Sequence, residues 1–135
     1  MKKISLCVIT ILIVCLAAAC SVQKTKTDKL RDLEFTVLGE EEIPEELKEK
    51  IEEKEQNGFK ITYADKGYLY IAKGYGRQET SGYSIEVKQC YETENAIYFH
   101  TILHGPKKEE EVSDNPTYPY VVVKLEWIDK NVVFE

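Results

Sequence analysis

Phe59-Lys60-Ile61-Thr62-Tyr63-Ala64-Asp65-Lys66-Gly67-Tyr68-Leu69-Tyr70-Ile71-Ala72 reads as a β-hairpin. Phe59, Ile61 and Tyr63 alternate with Lys60 and Thr62, the period of two that sets apolar side chains on one face of a strand. Asp65-Lys66-Gly67 has the chemistry of a tight turn, and 68–72 is apolar on both faces. Upstream, Ile43, Leu47 and Ile51 recur every fourth residue among Glu and Lys. With Pro44 suited to a first turn, Glu45 and Glu46 favoured by the helix dipole and Asn57-Gly58 as a stop, this predicts a helix over 44–56. Its narrow apolar stripe should lie on a sheet, and its Glu-rich remainder is a solvated face.

Leu33, Phe35 and Val37 form a half-buried strand pattern ended by Gly39. Downstream, Tyr83, Ile85 and Val87 alternate with Ser84, Glu86 and Lys88, and 96–103 is a further strand after the Thr93-Glu94-Asn95 turn. A polar loop follows over 105–115, and strands over 120–127 and 132–134 complete the series. About seven strands and one helix predict a mainly β (β-rich α+β) domain, an antiparallel sandwich or open barrel with the helix packed on it.

The 135 residues suffice for one domain and not for two. A net charge of −6 lacks the basic face that a nucleic-acid partner requires.

The N-terminus has its own logic. Lys2 and Lys3 precede an uncharged, apolar run over 4–16 that has the length of a signal-peptide core and is short for a span. Leu16-Ala17-Ala18-Ala19-Cys20-Ser21 resembles the lipobox of bacterial lipoproteins, in which small residues precede the Cys that is acylated and becomes the first residue. The resemblance implies a signal peptide over 1–19, a lipid anchor on Cys20 and a place on the extracytoplasmic side of the cell membrane. Ala17-Ala18-Ala19 also satisfies the Ala-x-Ala rule, so a soluble secreted protein is the competing reading. Loss of 1–19 leaves 16 basic against 24 acidic residues, a charge of −8. Residues 20–32 read as the lipidated terminus and a polar tether, and 33–135 as the folded domain. Cys7 and Cys15 leave with the signal, and Cys90, in a strand-like run, reads as a small buried apolar residue.

The search for chemistry yields no catalytic or metal-binding residues. No Gly-x-Ser-x-Gly elbow, Walker loop or His-Glu-x-x-His is present, and Gly74-Tyr75-Gly76 opens no phosphate-binding helix. His100 and His104 would stand roughly 13 Å apart along one strand, too far to share an ion. No acid sits in an apolar neighbourhood that would tune it for proton transfer. The expectation is a non-enzyme without a cofactor.

The nine tyrosines are for the most part good strand formers. The stretch 74–83 differs, because Gly74, Gly76 and Gly82 with Arg77, Gln78, Glu79, Thr80 and Ser81 make a polar, bendable loop between two apolar strands, where recognition tends to sit. Gly76-Arg77-Gln78-Glu79-Thr80-Ser81-Gly82-Tyr83-Ser84-Ile85 resembles the signature of the PrcB family of protease-complex subunits, approximately Gly-x-x-Pro-Thr-Gly-Gly-Tyr-Ser-Ile. Thr117-Tyr118-Pro119-Tyr120-Val121-Val122-Val123-Lys124 is similar to that family's late Tyr-Pro-Tyr strand, and the resemblance covers 68–126. Glu79 stands where Pro is usual and Ser81 where Gly is usual. The resemblance implies an exported lipoprotein that binds and stabilises an extracellular protease. Its candidate contact residues are Arg77, Gln78, Thr80, Ser81, Gly82, Tyr83, Tyr118, Pro119 and Tyr120. A structural reading stands beside this one: 80–84 as a turn that the fold needs, and Tyr118-Pro119 as the start of an edge strand or a cis bond. Thr80-Ser81-Gly82-Tyr83 is also similar to the Thr-x-Gly-Tyr loop of chagasin-like cysteine-protease inhibitors, which offers inhibition through the Arg77 to Tyr83 loop as the alternative. A generic envelope binding lipoprotein is the third reading.

Overall fold

Leu33 sits where the chain changes sheets. The computed structural model describes residues 28–135, so the signal segment 1–19, Cys20 and the first part of the tether lie outside the described residues. Strand β1 (Arg31–Asp32) and strand β2 (Thr36–Val37) flank Leu33, which is buried, and belong to different sheets. The run 33–37, expected as one strand, is therefore divided at the crossing. Backbone pairing also begins three residues before Leu33, where Leu30 N–H donates to Glu92 O at 2.8 Å.

The remaining elements are helix α1 (Glu45–Lys54) and strands β3 (Phe59–Asp65), β4 (Tyr68–Gly74), β5 (Ser84–Glu92), β6 (Ala96–His104), β7 (Tyr120–Glu126) and β8 (Asn131–Phe134). The β3–β4 hairpin forms as predicted, with Asp65 opposite Tyr68 and positive φ at both turn residues, Lys66 at 50° and Gly67 at 83°. That is the backbone a two-residue turn needs to match strand twist. One sheet has the order β1-β5-β6-β8 and the other β2-β7-β4-β3. The two sheets are separate, which resolves the choice between sandwich and barrel in favour of the sandwich. All pairings are antiparallel except β6 with β8, which is parallel.

The two-faced apolar character of β4 has its explanation in two cores. Leu69 and Ile71 point between the sheets, where they meet Ile97 and Phe99 of β6, Cys90 of β5 and Val121, Val123 and Leu125 of β7. Tyr70 and Ala72 point the other way, into a second core with Ile43 just before the helix, Leu47 and Ile51 of the helix, Phe59, Ile61 and Val122. The molecule is thus a three-layer stack of sheet, sheet and helix. Each large apolar side chain buried in this way contributes about 1.5–3 kcal/mol. The helix is shorter than the expected 44–56, because Pro44 is its N-cap and Glu55–Asn57 tightens into a 3-10 turn before Gly58 at φ +79°. Cys90 is buried as expected, and burial pushes its thiol up to about 11.

Topology gives the sandwich two unlike ends. β4 and β6 run towards one end, and β5 and β7 leave from it. That end carries residues 75–83 and 105–119. The opposite end carries the turns 66–67 and 93–95 and the exposed Trp127.

Candidate functional site

The two segments that resemble the PrcB signature, far apart in sequence, lie side by side. Beyond β4, Tyr75 N–H donates to Pro119 O at 3.1 Å, continuing the β4–β7 ladder. Gln78 and Thr117 then form an isolated two-way bridge, with N–H to O distances of 2.8 and 2.9 Å. Thr117 Oγ1 donates to Thr80 O at 2.7 Å. Further along, Ser81 N–H donates to Ser113 O at 3.1 Å and Ser113 N–H donates to Ser81 Oγ at 2.8 Å. The loop 75–83 is therefore zipped to 113–119 along one flank.

Its other contacts reach two more elements. Arg77 N–H donates to Gln56 O at 3.1 Å, tying the loop to the 3-10 turn after α1. Gly76, at φ +78°, sits so close that an added Cβ would come within 3.2 Å of Gln56 O and Gly58 N. Gly82, at φ +94°, lies over Pro106 and Val112, and Gly105 lies under the Tyr83 ring, where an added Cβ would be 3.4 Å from a ring carbon. Tyr75 closes the end between the sheets, its hydroxyl 2.6 Å from Thr101 Oγ1 of β6. Lys73 Nζ stands 4.8 Å from the Tyr75 ring centroid, and burial, with Lys60 nearby, lowers its pKa.

These bonds sort the expected contact residues by what they do. Gln78, Thr80 and Ser81 spend polar groups on the loop's own frame, with Gln78 Nε2 also donating to Tyr75 O at 3.3 Å and Thr80 Oγ1 to Ser81 O at 3.0 Å. Gly82 supplies a left-handed backbone, and Tyr83 is half-buried. Tyr118 and Pro119 are half-buried, and the bond between them is trans, since no described peptide bond is cis. Tyr120 turns towards the helix layer, with its ring centroid 6.2 Å from that of Phe59. Burial and the carboxylates of Glu40, Glu55 and Glu52 raise its hydroxyl pKa.

Arg77 differs from the rest. Its side chain is 53% exposed and its partner Glu79, 3.9 Å away, is 81% exposed, so both heads stand in solvent on a fixed backbone. Glu79 was not among the residues expected from the sequence, because it departs from the family pattern. The part of 105–115 in the site was also missed; Gly105 and Pro106 are the only local hint, and the pairing of Ser81 with Ser113 is a tertiary fact. His104 Nε2 and Glu86 Oε1, 2.8 Å apart, add a second polar pair near this end.

The arrangement can present a rigid, polar surface with an aromatic base. Among the described residues, no group of three or more His, Cys, Asp or Glu could hold a metal ion. Broader concavities lie at the opposite end: a cleft of about 950 Å³ lined by 31–36, Tyr68 and 124–128, and one of about 800 Å³ beside Trp127 and Lys130. The concavities at the loop end are smaller, about 590 Å³ beside Lys107–Glu110 and about 440 Å³ beside Gly58 and Tyr75, so the hydrogen-bonded loop pair suits a macromolecular contact better than a small ligand, which favours an enclosing pocket.

The family model described as PrcB C-terminal matches residues 69–126, from β4 through the site to the end of β7. No curated protein and no solved structure matches the chain.

Proposed function

Since residues 69–126 belong to the PrcB C-terminal family, we propose that this chain is an exported, lipid-anchored, non-catalytic module that binds and stabilises a secreted or surface protease through the Arg77 end of its sandwich. The observation that carries this reading is the convergence of the two signature segments into one braced surface whose outward charges are Arg77 and Glu79. A preformed loop avoids the cost of ordering on binding. The inhibitor reading is less favoured, because the loop's backbone is paired with 113–119 along one flank. Anchoring rests on the likeness of 16–21 to a lipobox.

The test is a crosslinked pull-down from intact cells of the tagged full-length protein beside a charge swap, Arg77→Glu with Glu79→Lys. Both side chains are exposed, so the swapped protein should keep its circular dichroism and melting temperature. A protease should co-purify with the original, and the swap should lower its recovery about tenfold, as expected when a central charged contact worth roughly 1.4 kcal/mol is reversed. Protease lifetime should lengthen with added protein. Slowed proteolysis at one-to-one stoichiometry would favour the inhibitor instead, and no protease with either form would overturn the reading.

A further inference from the structure

The place where the chain enters the fold is at the opposite end from the proposed contact surface. Leu30 N–H bonds to Glu92 O, and Arg31 and Asp32 pair with Glu92 and Tyr91 at the last residues of β5. The described chain therefore enters the fold at the end that carries the 93–95 turn and Trp127. The loop 75–83 precedes Ser84, the first residue of the same strand. Nine residues of strand at about 3.3 Å each separate the two ends by roughly 30 Å.

Resting on the reading of Cys20 as the lipid anchor, we infer that the anchored molecule stands with the Trp127 end towards the bilayer and the Arg77 end away from it. The partner is then engaged as a protein exposed in the aqueous space, roughly 30 Å or more above the lipid. The reason is the length of chain between anchor and fold. Ten residue steps from Cys20 to Leu30 span at most about 36 Å. To bring the Arg77 end onto the bilayer, Leu30 would have to stand about 30 Å off, which stretches the connection nearly to its limit. Of the six exposed large apolar residues, Leu30, Tyr68 and Trp127 are at the proximal end, Val37 and Val133 lie along the sheets opposite Val123 and Tyr98, and Val112 is at the far end. The charges that line the two clefts beside Trp127 are of both signs (Asp32, Glu34, Glu94, Glu126 and Asp129 against Arg31, Lys60, Lys124 and Lys130), so no basic patch holds this end to an anionic surface.

Trp127 is the only tryptophan of the chain, which makes it an intrinsic probe. The full-length lipidated protein is placed in phosphatidylcholine vesicles that contain a lipid with a dansyl headgroup, and energy transfer from tryptophan is measured after flotation. Trp127→Phe combined with Glu79→Trp moves the donor to the exposed site at the other end. The expected result is transfer several-fold stronger from Trp127 than from the relocated donor. Equal or reversed transfer in protein that floats overturns the orientation while leaving the anchor intact. Protein that does not float with the vesicles overturns the anchor, and the orientation with it.

Discussion

Gly82 shows how one residue holds the contact surface. Its φ of +94° is one that L side chains rarely adopt, and an added Cβ would lie 2.8 Å from Pro106 Cβ and 2.9 Å from a Val112 methyl. Gly82→Ala should therefore cost about 1–3 kcal/mol from backbone strain and overpacking together, read as a lower midpoint in urea with an unchanged slope. An unchanged midpoint would mean that 105–112 gives way without cost. This role was half legible in the sequence, where a glycine before Tyr83 suggested a turn; Pro106 and Val112, which make the position tight, are more than twenty residues away. Gln78 and Thr80 are a harder case, since their types suit exposed recognition as well as the internal bonds they make to Tyr75 and Ser81.

Among the elements, the helix and the β3–β4 hairpin followed from periodicity, because their apolar faces repeat with the period of the backbone itself. Leu47 and Ile51 are the deepest residues of the helix, at 0% and 1% exposure, and lie over β3, β4 and β7. Leu47→Ala should cost about 2–5 kcal/mol in urea unfolding, against about 0.5 kcal/mol or less for Glu49→Ala on the solvated face. Similar costs for the two would mean that the helix layer does not pack on the sheet. The first strand was less legible. Residues 33–37 alternate well enough for one strand, yet the chain passes from sheet to sheet there, with Leu33 N–H donating to Cys90 O and Leu38 N–H to Val122 O on the opposite sheet. Alternation does not say which sheet a residue joins: Leu33 is buried in the core that both sheets share, whereas Val37, expected on the same face, is 55% exposed.

Across the whole molecule, a partly buried ionic cluster fastens the chain's point of arrival to the connection between β7 and β8. Glu92 is bonded by Arg31 Nε at 2.7 Å and by Lys130 Nζ at 2.7 Å, and Lys130 also donates to Thr93 O at 2.8 Å. The hydrogen bond from Lys130, followed by that from Arg31, holds the Glu92 carboxyl below its ordinary 4.5. A carboxyl depressed in the fold binds more protons when unfolded, so its stabilisation is complete above that ordinary value and is lost as pH falls through the lower, folded one. Glu92→Gln should cost about 1–3 kcal/mol at pH 7, and the gap from the original protein should narrow between pH 5 and pH 3 in thermal melts. A gap independent of pH would show that the charge of Glu92 is not what binds the cluster.

By itself, the sequence determined the elements that depend on local patterning: the helix, the hairpin, the burial of Cys90, the mainly β class and the signature segments with their family. Each is a property of neighbours along the chain, where side-chain period and turn chemistry act directly on the backbone. Only the tertiary structure decided which sheet each half of 31–37 joins, that β8 runs parallel to β6, that Tyr120 turns to the helix layer, and that Ser81 meets Ser113. It also decided that the tether and the contact surface occupy opposite ends. Those facts depend on pairings across tens of residues, where many partners suit the same local pattern and only the simultaneous closure of both cores selects among them.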